Sequence, residues 1–429
     1  MFSGGRSIKW IKTPDGDGSA ASARVEEVVS AIAEDVRARG MDAVREYAEK
    51  FDAFGGPFAV SREAAQEALE SLDPRVRASI ETAISNVRRF HALQRETLQD
   101  REWELSPGVR AGFRYVPMQS VGIYVPGGRY PLPSSAIMGV VPAREAGVKR
   151  IAAFSPPGRD GGIHPATLAT LALLEVDEIW ALGGVQAVAA MAFGAGEIAR
   201  VDFVAGPGNA YVAEAKRRLF GEFGIDGVAG PSEVLILADE GADHRLVARD
   251  LLAQSEHDPM ARAVLVAASD AFAEKTLREL ENVLQDLPTR EVAETAWRNN
   301  GAIGVAALDD ALAYANATAP EHLQLALADP RAALARCTAY GAAFLGYSSS
   351  EVFGDYIAGT NHTLPTAGRA RFSSGLWTGS FLRTLTHLDL TPAAAAALAS
   401  PGAEIAAAEG LAAHAGALRA RKEKFAERP

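Results

Sequence analysis

The sequence predicts an α/β protein in which a helical N-terminal layer precedes two α/β units and a helical tail follows them. Short apolar runs alternate with helical segments through the middle of the chain, and the loops after these runs are rich in Gly and Pro. The chain has 429 residues, of which 48% are hydrophobic and 23% charged, as is typical of a soluble globular protein. A chain of this length predicts two or more domains.

The first hundred residues are predicted to form helices. Apolar residues from Val25 to Tyr47 recur at a spacing of three and four, and Gly40 interrupts them. This pattern is typical of two amphipathic helices joined by a turn. Further helices are predicted over 63–69 and 74–95, where charged residues follow one face. This layer on its own suggests no chemistry.

At Ser120 the pattern changes to short, nearly continuous apolar runs. Because helical segments separate these runs, they predict βαβ units and a parallel sheet that is covered on both faces. Ligands are expected at the carboxyl ends of such strands. The runs are VGIYV (121–125), RIAAF (150–154), DEIWAL (177–182), DFVAG (202–206) and EVLILA (233–238).

A second alternating series follows the first. Two α/β units of similar construction therefore occupy roughly 120–350, and the cleft between them is the default binding site. The strands predicted in this series are ARAVLVAA (261–268), AIGVAA (302–307), HLQLAL (322–327) and AAFLG (342–346).

From Thr391 the chain becomes rich in alanine, which predicts two short helices. These helices carry too few bulky apolar residues to form a core of their own, so they are expected to pack on another surface. A low-complexity tail is the alternative interpretation.

The charge balance disfavours nucleic acid as a partner. There are 54 acidic and 43 basic side chains, which give a formal charge of -11, whereas binding to a phosphate backbone depends mainly on Lys and Arg. The N-terminus lacks the apolar core of a signal peptide, and the chain has no apolar stretch of about 18 residues that would span a membrane. We therefore expect a cytoplasmic protein without a membrane partner.

Cys337 is the only cysteine, so an intrachain disulfide and a zinc site built from several cysteines of one chain are excluded. Any metal must be held mainly by His, Asp, Glu or amide oxygen. Gln254 and His257 are candidates, because a spacing of three places them on one face of the last turn of a predicted helix. A histidine that only caps the helix is the alternative.

Three further polar groups are candidates for chemistry. Glu321 and His322 follow Pro320 at the start of a predicted strand, where a carboxylate and an imidazole could divide proton transfer between them. A surface Glu beside a partly buried His is the alternative. Asp355 and His362 lie in GDYIAGTNHTLPT (354–366), which is predicted to be a loop. Glu409 and His414 lie in the alanine-rich tail, where a solvated helix face explains them equally well.

The segment GPGNAYVAEAKR (206–217) follows a predicted strand and opens a helix. Its backbone amides could hold a phosphate at the helix N-terminus. It lacks the GxGxxG pattern, which argues against the ordinary Rossmann mode of dinucleotide binding. Arg129, in GGRYP after the first strand, adds a cation near the same edge.

Eight phrases in this order resemble the histidinol dehydrogenase family over nearly the whole chain. They are GIYVPGG (122–128), GGVQAVAAMAFG (183–194), VDFVAGPGNAYVAEAKR (201–217), AGPSEVLILAD (229–239), LLAQSEHDP (251–259), PEHLQL (320–325), GDYIAGTNHTLPT (354–366) and EGLAAH (409–414).

The resemblance implies a zinc- and NAD-dependent enzyme that oxidises L-histidinol through the aldehyde to L-histidine. The positions that match the zinc ligands are Gln254, His257, Asp355 and His414, an N/O set that zinc accepts. His322 matches the group that takes protons, and Glu321 matches the group that activates water. Further substrate-contacting positions are Ser232, His362 and Glu409, and the positions that contact NAD are Tyr124, Gln186 and Asn209.

The resemblance also implies two Rossmann-like α/β domains and a homodimer that exchanges its C-terminal tail, which delivers Glu409 and His414 to the partner's site. The implied divisions are an extension at 1–20, a metal-binding domain of 21–119 with 232–376, an NAD-binding domain at 120–231, and a dimerisation tail at 377–429.

Two segments depart from the usual text of the family. One is RYPLPSS (129–135), which brings in Arg129, and the other is WTGSFLRTLTHL (377–388). These segments resemble those of paralogues that oxidise other substrates, such as 2,3-dihydroxypropane-1-sulfonate. An arginine near the site would suit the anionic group of such a substrate. A catalytically silent homologue that only binds its ligand is a further alternative.

Overall fold

The structure is a computed structural model that describes residues 8–15, 22–127, 130–158, 161–228 and 230–426. Arg129 lies outside the described residues. The chain divides into two compact units: Met1–Leu93 with Met118–Phe381, and Gln94–Pro117 with Leu382–Pro429.

The described residues form fifteen strands and sixteen α-helices. The strands are β1 (Lys9–Lys12), β2 (Ala59–Val60), β3 (Arg101–Ser106), β4 (Val109–Pro117), β5 (Ser120–Tyr124), β6 (Arg150–Ser155), β7 (Glu178–Ala181), β8 (Phe203–Ala205), β9 (Gly224–Ile225), β10 (Glu233–Ala238), β11 (Arg262–Ala267), β12 (Ala302–Val305), β13 (His322–Ala326), β14 (Ala342–Leu345) and β15 (Leu382–Leu390). The helices are α1 (Ser22–Arg39), α2 (Met41–Asp52), α3 (Arg62–Glu70), α4 (Pro74–Glu96), α5 (Pro133–Ala146), α6 (Pro165–Leu173), α7 (Gly184–Phe193), α8 (Ala210–Leu219), α9 (His244–Ser255), α10 (Asp270–Gln285), α11 (Arg290–Asn300), α12 (Leu308–Thr318), α13 (Pro330–Leu334), α14 (Glu351–Tyr356), α15 (Pro392–Ala408) and α16 (Ala412–Ala426).

One sheet of the first unit has the strand order β1-β12-β11-β10-β13-β14. The edge strand β1 is antiparallel and the other strands are parallel. Residues of α9, α10 and α11 form a core with one face, and residues of α12 and α13 form a core with the other. Burial on both faces explains why these strands are continuous apolar runs.

The other sheet of this unit has the order β2-β7-β6-β5-β8-β9, with β2 antiparallel and the rest parallel. The apolar residues of α1 and α2, such as Val29 and Val44, join a core with Phe154 and residues of α7 and α8. Helices α1 and α2 therefore cover this sheet. The domain division implied by the resemblance instead assigns 21–119 to the domain that contains the other sheet.

All nine strands predicted from apolar runs are present, with bounds that differ by at most two residues. The two antiparallel edge strands were not predicted. β1 has the sequence KWIK and β2 has only two residues, so neither carries a long apolar run.

The second unit contains a three-stranded antiparallel sheet of order β15-β4-β3 and the helices α15 and α16. The sequence predicts the two helices but not this sheet. All six residues of β3 are exposed, as are most of those of β15, so their sequences lack a buried face. The α15–α16 pair has a core of Ala403, Ala406 and Ala415 with Leu418 packed against it.

None of the described helices is both long enough and apolar enough to cross a membrane.

Candidate active site

Glu321 and His322 lie at the start of β13, a central strand between β10 and β14. The preceding helix α12 ends at Thr318, and its C-cap residue Ala319 lies in the left-handed region at φ 49°. Pro320 then directs the chain into the strand. Both side chains are buried, with 6% of Glu321 and 3% of His322 exposed. The alternative of a surface glutamate is therefore wrong.

The Glu321 carboxylate has two hydrogen-bond donors. The Ser232 hydroxyl donates to Oε2 at 2.7 Å, and the backbone N–H of Glu233 donates to the same oxygen at 2.8 Å. Burial raises the pKa of Glu321 well above its usual range, against the opposing effect of these two hydrogen bonds. A carboxyl group with a raised pKa is a stronger base than an ordinary carboxylate, which suits it to accept a proton.

The His322 imidazole is oriented by the backbone of β10. Its Nδ1 lies 3.2 Å from the carbonyl oxygen of Glu233, an acceptor that selects the tautomer with the proton on Nδ1. Nε2 is then unprotonated, and it is buried without a hydrogen-bond partner among the described residues. Burial lowers the pKa of His322 and keeps the ring neutral. This geometry is typical of a general base.

Asp355 lies close to two histidines. Its Oδ1 is 3.6 Å from Nε2 of His322, and its Oδ2 is 3.8 Å from Nε2 of His257. Asp355 is buried in α14, which ends at Tyr356, so the predicted loop begins only after this helix. His257 follows α9 and is exposed. An exposed imidazole beside a buried carboxylate is a pair that one metal ion could bind.

The residues present fit a zinc ion. Two ligands with bonds of about 2.0–2.2 Å to one zinc lie roughly 3 to 4 Å apart, as the His257 and Asp355 atoms do. Gln254 is buried in the last turn of α9, and its amide oxygen is the atom of this side chain that could bind a metal.

These residues do not complete a metal site by themselves. Among residues 8–15, 22–127, 130–158, 161–228 and 230–426, no three His, Cys, Asp or Glu side chains are grouped so that they could hold a metal ion. The two remaining candidates belong to the second unit: Glu409 follows α15, His414 lies in α16, and both are exposed.

His362 connects the two sheets of the first unit. Its Nδ1 is 2.9 Å from the carbonyl oxygen of Asp355, and its Nε2 is 3.5 Å from the hydroxyl of Ser135 in α5. Burial lowers the pKa of His362. The loop that follows α14 thus brings a buried histidine to the boundary between the sheets.

The positions expected to contact NAD lie at the carboxyl edge of the second sheet. The Tyr124 hydroxyl accepts a hydrogen bond from the Gly184 N–H at 3.1 Å, and burial raises the Tyr124 pKa to about 12. Gln186, in α7, donates to Asp52 at 3.3 Å, and its amide oxygen is buried without a partner among the described residues. The Asn209 side chain caps α8.

Sequence reasoning missed a buried polar cluster formed by Asp250, Gln324, Ser350 and Glu351. Asp250 accepts hydrogen bonds from Gln324 at 2.8 Å and from Ser350 at 2.9 Å. Burial raises the pKa of Glu351 well above its usual range and also raises that of Asp250. The sequence signal for this cluster was the position of the acidic residue Asp250 in α9, three residues after the buried Val247 and four before Gln254.

A profile of the histidinol dehydrogenase family matches residues 17–422. The chain belongs to the histidinol dehydrogenase family. It is therefore an oxidoreductase. A histidinol dehydrogenase from Gluconobacter oxydans is 45% identical to it over 405 residues, which cover 93% of each chain.

Two further comparisons support the assignment to the histidinol dehydrogenase family. A protein from Shouchella clausii named histidinol dehydrogenase homolog is 43% identical over 393 residues, 91% of this chain and 92% of its own. The crystal structure of histidinol dehydrogenase from Elizabethkingia anophelis has a TM-score of 0.90 at 35% identity, covering 95% of this chain and 94% of that one. The predicted mixed α/β architecture is thereby confirmed.

Part of the segment that departs from the family text, at 377–388, lies in the core of the first unit. The Thr378 hydroxyl donates to the His91 carbonyl oxygen at 3.0 Å, and both residues are buried. The ring of Phe381 is fully buried, and its centroid lies 5.3 Å from that of Phe203. Packing therefore accounts for Thr378 and Phe381.

Replacing Gly341 by alanine is expected to lower the dehydrogenase activity by about tenfold or more. The added Cβ would lie 2.5 Å from the Glu321 carbonyl oxygen, so the start of β13 must shift, and a displacement of about 1 Å at a catalytic group is costly. The matched control is Gly162→Ala, where no atom lies within 4 Å of the added Cβ. Equal activity in the two folded variants would contradict this account.

Proposed function

We propose that this chain is a zinc- and NAD-dependent dehydrogenase that oxidises L-histidinol through the aldehyde to L-histidine. The observation that carries the proposal is the buried His322, whose unpartnered Nε2 lies 3.6 Å from Asp355 and whose Nδ1 lies 3.8 Å from the carboxylate of the buried Glu321. A base, a second proton-exchanging group and a metal-binding carboxylate thus meet at one point. The names of the relatives indicate the substrate.

The residues that would hold zinc are Gln254, His257 and Asp355 from one protomer and His414 from the other. When bound, zinc would polarise the carbinol oxygen as a Lewis acid, and NAD would accept a hydride in each oxidation. The spacing of His257 and Asp355 and the buried position of Gln254 in the last turn of α9 support this ligand set.

His322 and Glu321 divide the proton transfers. His322 Nε2 accepts the hydroxyl proton as the carbinol carbon loses a hydride, which yields the aldehyde. Glu321 accepts a proton from water as that water adds to the aldehyde carbon, and the protonated His322 returns its proton to the carbonyl oxygen, which yields the hydrate and restores neutral His322. His322 then accepts a hydroxyl proton of the hydrate as a second hydride leaves, which yields the acid. The Glu233 carbonyl keeps Nε2 available for both of the histidine's steps.

The remaining predicted site residues orient the substrate and NAD. Ser232, His362 and Glu409 are proposed to contact the substrate, and Ser232 also holds Glu321 through its hydroxyl. Tyr124, Gln186 and Asn209 are proposed to contact NAD. The buried, unpartnered amide oxygen of Gln186 supports this role, because a cofactor would supply its missing hydrogen bond.

We propose that two chains exchange their C-terminal tails, so that each active site receives Glu409 and His414 from the partner. The small alanine core of α15 and α16 supports an exchanged tail, since Ile405 and Leu411 remain 63% and 44% exposed. Exposed apolar side chains of this kind are typical of a surface that another subunit covers.

The first test is NADH formation from L-histidinol by the purified protein. We expect turnover that stops after chelation of the metal and returns with added Zn²⁺. The competing substrate, 2,3-dihydroxypropane-1-sulfonate, is assayed in parallel. Turnover of that diol alone would contradict the proposed substrate, and full activity without metal would contradict the role of zinc.

Replacing Glu321 by glutamine is expected to slow the aldehyde-to-acid half-reaction by roughly 10²–10⁴-fold, the usual contribution of a general base. Oxidation of the alcohol should fall much less, because His322 is retained. Single-turnover NADH formation from L-histidinol and from its aldehyde separates the two halves. Glu240→Gln, at an exposed residue, is the control; equal damage to both halves would refute the division of roles.

Replacing His257 by alanine is expected to weaken zinc binding by at least about a hundredfold, because a ligand to the metal is lost. The zinc content after dialysis against a weak chelator measures this without reference to activity. His244→Ala removes a histidine at the other end of the same helix and should leave the zinc content unchanged. Equal zinc contents in the two variants would exclude His257 as a ligand.

The exchanged tail predicts complementation between two inactive variants. His257→Ala and His414→Ala chains carry different tags and are purified as a mixed dimer. Exchange places both defects in one active site and leaves the other intact, so about half of the wild-type activity should return. If each tail served its own chain, both sites would lack a ligand and no activity would return.

A further inference from the structure

Lys216 and Asp226 form a buried ion pair in the sheet that contains β5. Lys216 lies in α8 and Asp226 follows β9, and their side chains are only 2% and 3% exposed. Burying two charges costs free energy unless both are also hydrogen-bonded. The partners that satisfy this pair therefore indicate what it does.

Both partners of the ion pair bind the same glycine. The Lys216 ammonium donates a hydrogen bond to the Gly206 carbonyl oxygen at 2.8 Å. The Gly206 N–H donates to Asp226 Oδ2, also at 2.8 Å. The ion pair thus fixes both peptide groups of Gly206, the first residue of the GPGN loop after β8.

Gly206 occupies a position that no other residue could take. Its φ is +119°, and an added Cβ would lie 2.0 Å from the Tyr124 carbonyl oxygen. The loop is therefore packed directly against the backbone at the end of β5. The Tyr124 hydroxyl also accepts a hydrogen bond from the Gly184 N–H. The loops after β5, β7 and β8 are therefore joined through this tyrosine.

The loop that the ion pair holds faces the space between the two sheets. Pro207, Asp226 and Gly227 line a cleft together with Thr363 and Arg369 from the segment that follows His362. Asn209, which ends the loop, caps α8 with hydrogen bonds from the N–H groups of Tyr211 and Val212. The loop is thus held at Gly206 and at Asn209, and Pro207 between them lines the cleft.

We propose that Lys216 and Asp226 are positioning residues for the dinucleotide: they hold the GPGN loop and Tyr124 in the arrangement that receives NAD. This inference rests on the proposed NAD dependence. An apolar pair of the same size would stabilise the core as well or better, whereas only this pair donates to and accepts from Gly206. Preorganised supporting residues of this kind raise affinity without contacting the ligand.

The test is the double variant Lys216→Met/Asp226→Asn, which leaves no unpaired buried charge but removes the donor to the Gly206 carbonyl. The dissociation constant of NAD is measured by calorimetric titration, alongside zinc content and the KM for L-histidinol. We expect NAD to bind roughly tenfold to a hundredfold more weakly. Zinc content and the KM for L-histidinol should stay unchanged, because the metal ligands lie on other elements.

The matched control is Arg150→Met/Glu178→Gln. It removes an ion pair of the same sheet at the start of β6 and β7, the opposite end from the loops, with 25% and 30% of the side chains exposed. NAD affinity should not change in this control. A purely structural role for Lys216 and Asp226 predicts an equal loss in both variants, or a loss in the thermal midpoint alone.

Should the double variant fail to fold, Lys216→Gln/Asp226→Asn carries the test, because it also leaves no unpaired buried charge and it removes the ammonium that donates to the Gly206 carbonyl oxygen. NAD binding weakened at least threefold, at constant zinc content, would support the proposal. Unchanged NAD affinity in a folded variant would overturn it. Failure of the wild-type protein to bind NAD would instead refute the proposed function.

Discussion

The backbone of one residue, Glu233, organises the chemistry of this protein. Its N–H donates to the Glu321 carboxylate, and its carbonyl oxygen faces Nδ1 of His322. Both contacts depend on the parallel register of β10 and β13, which pairs Val234 with His322. A shift of this register by one residue would release the carboxylate and the imidazole together. The proposed catalytic pair is thus fixed by the same hydrogen-bonded ladder that holds the sheet.

Burial determines how this pair behaves. Removing the two side chains from water disfavours their charged forms, which raises the pKa of Glu321 and lowers that of His322. At a given pH, burial therefore leaves a larger fraction of each side chain uncharged. The polar cluster around Asp250 and Glu351 extends the same buried environment beneath α9 and α14, the helices that carry Gln254 and Asp355.

The sequence was sufficient to predict the parallel strands, because strands that are buried on both faces are apolar throughout. It was not sufficient for β3 and β15, whose exposed residues carry no such pattern. It located the pairs Gln254–His257 and Glu321–His322 by their spacing, but not the contact of His322 with Asp355, which depends on tertiary packing. Lys216 could have been noticed as a charge in the apolar register of α8, four residues after Val212 and three before Leu219.

We propose that one zinc ion is bound by two histidines, a carboxylate and an amide, with no sulfur ligand. Zinc K-edge X-ray absorption of the zinc-loaded protein measures this most directly. We predict a nitrogen and oxygen shell at about 2.0–2.2 Å with scattering from two imidazoles, and from one in His414→Ala. A sulfur shell, or an unchanged spectrum in His414→Ala, would contradict the account.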